Sequence, residues 1–371
     1  MKVLYIGYHK ENSDWGKMTQ NNILALDAAG VDVACRGVEL GEPTPLVDRV
    51  SQLEQKDIDG CDVCIQHVFP NSVVGSRKFK KNIAILSNSF VDLNHTATIE
   101  YLKQVDEVWV SNEDNKRNIE DTLNVKVVPN PCDVGKFKQR YQDLQIPQTK
   151  GKFIFYAFLN SKETATIDTI FSCFHAEFDY TDKATLLVVV TDPSDEAQQR
   201  VNQISQQAKT TLRLHKDPSK YIKEVIITDV NLSSEHLLSV HQCGNCLLDF
   251  SNLPWPTHAI NAAGLGSKVI LTDFGGSKDI LTKFPECGHA ISYSLKCSKK
   301  SDGFLDLGLG TDFVCIPDER EIRTAMRHEY EEWLKNPVSF ERSARTLGYS
   351  VCDSLSLQNV GSKMKEILSN D

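Results

Sequence analysis

The stretch 251-SNLPWPTHAINAAGLGSKVILTDFGGSKDIL-281 decides how the chain is read. A turn punctuated by prolines leads into a helix of small residues, NAAGLG. An apolar run, KVILTDF, follows as a strand, and a Gly-Gly turn opens another helix. Helix, strand and helix at this spacing form the repeating unit of a parallel sheet covered on both faces.

The same alternation extends upstream. FIFYAFL, TLLVVVT, EVIITDV and CLLDF read as buried strands separated by the helices TIDTIFSCFHAEF, EAQQRVNQISQQA and SSEHLLSVHQ. Before them lies a second series. Its strands are KVLYIG, VDVAC, CDVCIQHV, NIAILS, DEVWVS and VKVV. Its helices are TQNNILALDAAG, a polar one around Val47–Gln55, ATIEYLKQ and NKRNIEDTL. The segment KQRYQDLQIPQTKGK lacks apolar periodicity, carries Pro and Gly, and separates the two series. The expected fold is α/β, with two Rossmann-like doubly wound parallel-sheet domains facing a cleft, over residues 1–140 and 151–335. C-terminal helices within 336–371 are expected to cross back to the first domain, and CSKKSDGFLDLGLGTD reads as a surface loop.

At 371 residues the chain exceeds the usual size of one hydrophobic core. A net charge of -9 argues against a surface that tracks phosphate backbones, so no nucleic acid partner is expected. MKVLYIG is too short for a secretory leader, and no run approaches the roughly 20 apolar residues of a membrane span. The expectation is a cytoplasmic protein, with peripheral membrane contact left open. The eleven cysteines sit mostly in apolar runs and read as small hydrophobes. The pairs Cys61/Cys64 and Cys243/Cys246 lie far apart on strand edges, so no zinc site is expected. Asp57 and Asp59 fall on the wrong edge of the sheet for a metal-assisted site, and no metal is assigned.

Ligands of open α/β sheets bind beyond the carboxyl ends of the strands, which directs attention to a few turns. In GYHKENSDWGKMTQNN, Gly16 with Lys17 behind it offers backbone amides and a cation to an anion. His67 ends a strand at that edge, where an imidazole can bond a ligand hydroxyl, and Asn88, Asn94 and His95 follow the next strand. On the second domain Lys162 lies in the turn after FIFYAFL. The turn Trp255, Pro256, Thr257 and His258 aims helix-start amides at the same edge, and Asn261 adds a carboxamide.

In this order the segments resemble the GT-B glycosyltransferases of the group 1, retaining family. DEVWVSNEDNKRNIED and VKVVPNPCDVGKF are similar to that family's DEVWVPSE and VVPNGVDxxxF signatures, and GYHKENSDWG resembles its N-terminal Gly loop. The resemblance implies sugar transfer from a nucleotide-sugar donor, UDP- or GDP-linked, to a hydroxyl of a glycan, a lipid-linked or another acceptor. It implies retention, no cofactor beyond the co-substrate and no catalytic metal. It places Gly16 against the donor phosphates, His67 near the donor sugar, Lys162 beside the pyrophosphate, and the loop Asp229–Leu232, with Asn231 and Leu232, against the base. The family's paired Glu residues, with seven residues between them, fall here on Leu253 and Asn261, and its GFG turn on Pro254-Trp255-Pro256. A non-catalytic relative that binds a nucleotide sugar or a partner protein is therefore the alternative. An epimerase would need Asp273 and Asp279 as acid and base. An enzyme that glycosylates DNA would need a basic groove, which the acidic balance opposes.

Overall fold

The computed structural model describes all residues except 40–45, 88–96, 143, 145, 215–220, 223, 229–232, 298–312 and 371. Asn88, Asn94, His95, Asn231 and Leu232 lie outside the described residues, as does most of the expected loop after Lys296.

The first half forms β1 (Lys2–Gly7), α1 (Asp14–Ala28), β2 (Asp32–Gly37), α2 (Asp48–Glu54), β3 (Val63–His67), β4 (Lys81–Leu86), α3 (Ala97–Leu102), β5 (Glu107–Val110), α4 (Glu113–Arg117) and β6 (Val125–Val127). Its six strands are parallel in the order β2-β1-β3-β4-β5-β6. Strands such as VCIQH are buried at every position, because helices cover both faces of the sheet.

The second half forms β7 (Phe153–Leu159), α5 (Thr164–Glu177), β8 (Ala184–Val190), α6 (Asp195–Thr211), β9 (Val225–Ile227), α7 (Ser234–Cys243), β10 (Cys246–Asp249), α8 (Thr257–Leu265), β11 (Lys268–Thr272), α9 (Gly275–Lys283) and β12 (Gly288–Ile291). The sheet order is β12-β11-β10-β7-β8-β9, again parallel. Its core is aromatic: Phe153, Phe155, Phe171, Phe174 and Phe178 pack in one cluster. An antiparallel pair, β13 (Tyr293–Cys297) and β14 (Phe313–Pro317), and the helix α10 (Glu319–Lys335) complete this half.

Two further helices close the chain, and they pack on different halves. α11 (Pro337–Ser354) stays on the second half against α8, and only α12 (Leu357–Ser369) reaches back, lying along α1. Both contacts need a glycine. A Cβ on Gly348 would fall 1.7 Å from the Ala263 carbonyl oxygen, and one on Gly361 would fall 1.9 Å from that of Ala25. The outgoing and returning segments touch where the Cys132 amide donates to the Leu355 carbonyl at 2.7 Å. No helix among the described residues is long and apolar enough to cross a membrane.

Candidate functional site

Each sheet reverses its strand order once, between β1 and β3 in the first half and between β7 and β10 in the second. The crevices beyond the carboxyl ends of those strands are where such sheets bind ligands. The Tyr8–Ser13 turn follows β1, and His67 is the last residue of β3. Residues following β7 and β10 include Lys162 and the Pro254–His258 turn.

In the first crevice the Gly16 amide and both ring nitrogens of His67 are engaged within the protein, while the buried His9 Nδ1 has no hydrogen-bond partner among the described residues. Gly16 is not in a loop: Ser13 caps α1 and accepts from the Gly16 amide at 3.1 Å, so that amide is taken. Its lack of a side chain serves packing, since a Cβ would meet the Glu11 carbonyl oxygen at 2.1 Å. Lys17 is exposed, with its ammonium 3.8 Å from Asp14. His67 is fully buried rather than open to a ligand. Its Nδ1 lies 3.0 Å from the Tyr5 hydroxyl and 3.2 Å from the Thr19 hydroxyl. Its Nε2 accepts from the Trp15 indole at 2.9 Å, with Ser87 Oγ at 2.7 Å. Burial pushes the imidazole pKa down to about 3, so the ring is neutral. Trp15 also packs edge-on against Tyr8 and Phe69 and closes the histidine off.

The second crevice is different. In α8 the Thr257 amide turns back to the Trp255 carbonyl at 3.0 Å, and the regular ladder begins with Ile260 to Pro256 at 3.1 Å. The amides between them, of His258 and Ala259, have no acceptor among the described residues. Pro256 is buried at the N-cap and leaves these donors uncapped. Trp255 is half-buried and Thr257 exposed. The His258 ring is structural: it stacks on Phe158 with centroids 4.3 Å apart and lies 3.4 Å from His241 Nε2. Burial holds both imidazoles below their ordinary pKa. Asn261, one turn on, has a buried Oδ1 with no hydrogen-bond partner. Buried acceptors are seldom left unmatched, and this one suits a hydroxyl donor.

Around these groups the field is mixed. Lys162 is exposed and its ammonium has no partner among the described residues. Next to it, burial raises the Glu163 carboxyl pKa, and nearby Asp249 and Asp192 add to the rise. Leu253, at the position where the resemblance expects a carboxylate, is 54% exposed.

The two halves meet at this turn. Asn112, which caps α4, donates through Nδ2 to the Pro254 carbonyl at 2.9 Å. The α4 and α9 helix starts exchange caps. Asp114 of α4 accepts from the Gly275 amide at 3.0 Å, and Asp279 of α9 accepts from the Glu113 amide at 2.8 Å. Asp279 is thus a bridging group between the halves, an assignment different from the acid or base an epimerase would ask of it. Sequence reasoning missed this exchange, although Asn112 followed by two acidic residues is a helix-start signal. Elsewhere, His289, His328 and Glu329 bring ligand atoms within 4.8 Å of one another on β12 and α10.

No family model matches the chain, and no curated protein matches its sequence. Solved structures do match in shape. One described as trehalose-6-phosphate from E. coli bound with UDP-2-fluoro glucose superposes with a TM-score of 0.64, covering 99% of both chains at 10% identity. The fold is GT-B. A UDP-forming trehalose-phosphate synthase from Burkholderia xenovorans gives 0.59 at 11% identity over 100% of this chain and 99% of its own. Anabaena HepE in complex with UDP and glucose gives 0.53 at 11% identity over 100% of both chains. At such identities the likeness establishes the glycosyltransferase fold alone.

Proposed function

We propose that the chain transfers a sugar from a nucleotide-sugar donor to an acceptor hydroxyl, with the donor seated against α8. The observation that carries this reading is the pairing of two open amides, His258 and Ala259, with the unmatched Asn261 Oδ1 at the second sheet's order reversal. Amides at a helix start suit phosphate oxygens, and a carboxamide oxygen suits a ribose hydroxyl. GT-B structures with bound UDP and sugar support the same ligand class.

In the proposed reaction the bond between the anomeric carbon and the phosphate oxygen breaks, and the acceptor oxygen bonds that carbon on the same face. The acceptor proton passes to the departing phosphate. Lys162 and the α8 amides stabilise the negative charge that develops on the leaving group, a role fixed dipoles can fill without a resident metal. The sealed His67 acts in this reading by holding Trp15, Tyr5 and Thr19 in place.

A second reading, a nucleotide-sugar binder without turnover, draws on specific features. Leu253 stands where a carboxylate is expected, and next to Lys162 the Glu163 carboxyl pKa is raised by burial and by the charges of Asp249 and Asp192. Calorimetric titration with UDP, GDP, ADP and their common sugar conjugates separates the cases. One nucleotide family binds, and Asn261→Ala and Lys162→Ala both weaken it; unchanged affinity in both variants removes the donor site from α8. Binding without product in an acceptor screen by mass spectrometry selects the second reading.

A further inference from the structure

Away from the cleft, a cavity of about 740 Å³ lies where the chain passes between its halves. One wall is the segment Val134–Arg140, which follows β6. The opposite wall is α11, and the ends of α7 and α8 form the floor. The volume is in the range of small-molecule sites.

Its chemistry is one-sided. Lys138, Arg140 and Arg345 line it together with a single acid, Asp353. Asp353 Oδ2 already lies 3.4 Å from Asn359 Nδ2. Gln242 is also spent, exchanging two hydrogen bonds with the Tyr141 backbone at 2.9 and 3.0 Å. Lys138 and Arg345 are exposed and have no ion-pair or hydrogen-bond partner among the described residues. The Arg345 stem lies beside Gly266, where an added Cβ would come within 2.5 Å of Cγ. Phe137 and Tyr349 supply aromatic surface beside these cations.

We propose that this cavity binds a phosphate group carried by a small organic body, the phosphate on Lys138, Arg140 and Arg345 and the body against Phe137 and Tyr349. Guanidinium and ammonium groups converging on one space favour a phosphate dianion, and arginine forks match its oxygens in pairs. The aromatic wall adds an apolar contact that inorganic phosphate alone would not use. The site is separate from the donor turn, since none of the residues assigned to the donor lines it. A ligand here links the segment leaving the first half to the helix that precedes the return, beside the Cys132–Leu355 hydrogen bond.

The test titrates pyrophosphate and phenyl phosphate calorimetrically into full-length wild type and into Lys138→Glu, Arg345→Glu, Arg342→Glu and Lys162→Ala variants, with folding checked by circular dichroism. Arg342 is an exposed arginine on α11 that does not line the cavity, and it controls for net charge. Reversal at Lys138 or Arg345 lowers phenyl phosphate affinity by about tenfold or more, while Arg342→Glu leaves it within about twofold; Lys162→Ala removes only the donor-side component of pyrophosphate binding. Tyr349→Ala weakens phenyl phosphate more than pyrophosphate. A parallel sedimentation with phosphatidylcholine vesicles doped with phosphatidic acid identifies the source. Recruitment lost in Arg345→Glu assigns the phosphate to a lipid headgroup, and binding of the soluble probes alone assigns it to a free metabolite. The proposal is overturned if neither probe nor vesicle binds, if the reversals at Lys138 and Arg345 change nothing, if Arg342→Glu is equally damaging, or if the phenyl phosphate loss appears in Lys162→Ala instead.

Discussion

At the start of α1 the cap and the buried histidine are matched within the protein: Ser13 takes the Gly16 amide, and Trp15, Tyr5, Thr19 and Ser87 surround both nitrogens of His67, while the Asp14 and Trp15 amides and His9 Nδ1 have no partner among the described residues. At the start of α8 two amides and one carboxamide oxygen are left over. Both sit beyond a strand-order reversal, the place where topology puts a ligand, yet only the second combines a helix start without a side-chain cap with a buried carboxamide oxygen left unmatched. The difference teaches that topology locates a crevice and that the kind of group left unmatched there, and whether the helix start is capped, distinguishes one crevice from the other.

His67→Ala tests the closed side hardest. It removes a buried ring and strands four partners, so stability falls by about 3–4 kcal/mol in urea unfolding, while nucleotide affinity of the folded fraction stays within about twofold. A tenfold loss of affinity would break the comparison. Gly16→Ala follows, at about 1–3 kcal/mol, because the new methyl must displace the Glu11 carbonyl. On the open side Asn261→Ala costs little stability but lowers nucleotide affinity about tenfold, read by calorimetry.

Acid should find the closed side as well. The folded His67 pKa of about 3 lies below the ordinary 6.5, so between those values the unfolded chain takes up a proton that the folded chain refuses. The stability this group contributes is present above pH 6.5 and is lost as pH falls toward 3, by about 1.4 kcal/mol per unit. His241 and His258 shift in the same direction. Thermal melts across this window should show the decline, and it should be shallower in His67→Gln. The smallest effect is expected from Asp114→Ala, which uncaps α9 for about 1 kcal/mol and widens the cleft, measurable as a larger radius of gyration by X-ray scattering.

The strands of both sheets were legible because strands buried on both faces read as unbroken apolar runs, as in TLLVVVT and NIAILS. GHAI, YSLKC and FVCIP escaped, being short, and the sheet's edge strand carries a half-exposed histidine. C-terminal helices were expected within 336–371, but the packing of α11 was not legible: Gly348 in PVSFERSARTLGYSVCDS gives no local sign that it is required for contact with Ala263. Gly16 misled in a different manner. It looked like a loop glycine, whereas Ser13 followed by Asp14 marks a helix start just before it. The position of His67 at a strand end was readable, but its closure by Trp15 and Tyr5 depends on residues 52 and 62 positions away. Of the donor side, the helix start and Asn261 could be placed from the small-residue pattern. Which amides stay open depends on the backward turn at Trp255, which no residue type announces.

The exchanged caps of α4 and α9 set how the two halves can separate. Each carboxylate belongs to one helix and satisfies the first amide of the other, so the halves cannot part without baring both helix starts in one motion. Sliding by part of the distance keeps neither bond at length, and water must replace both together. The halves are thus held by a clasp with two fasteners, one carboxylate from each side.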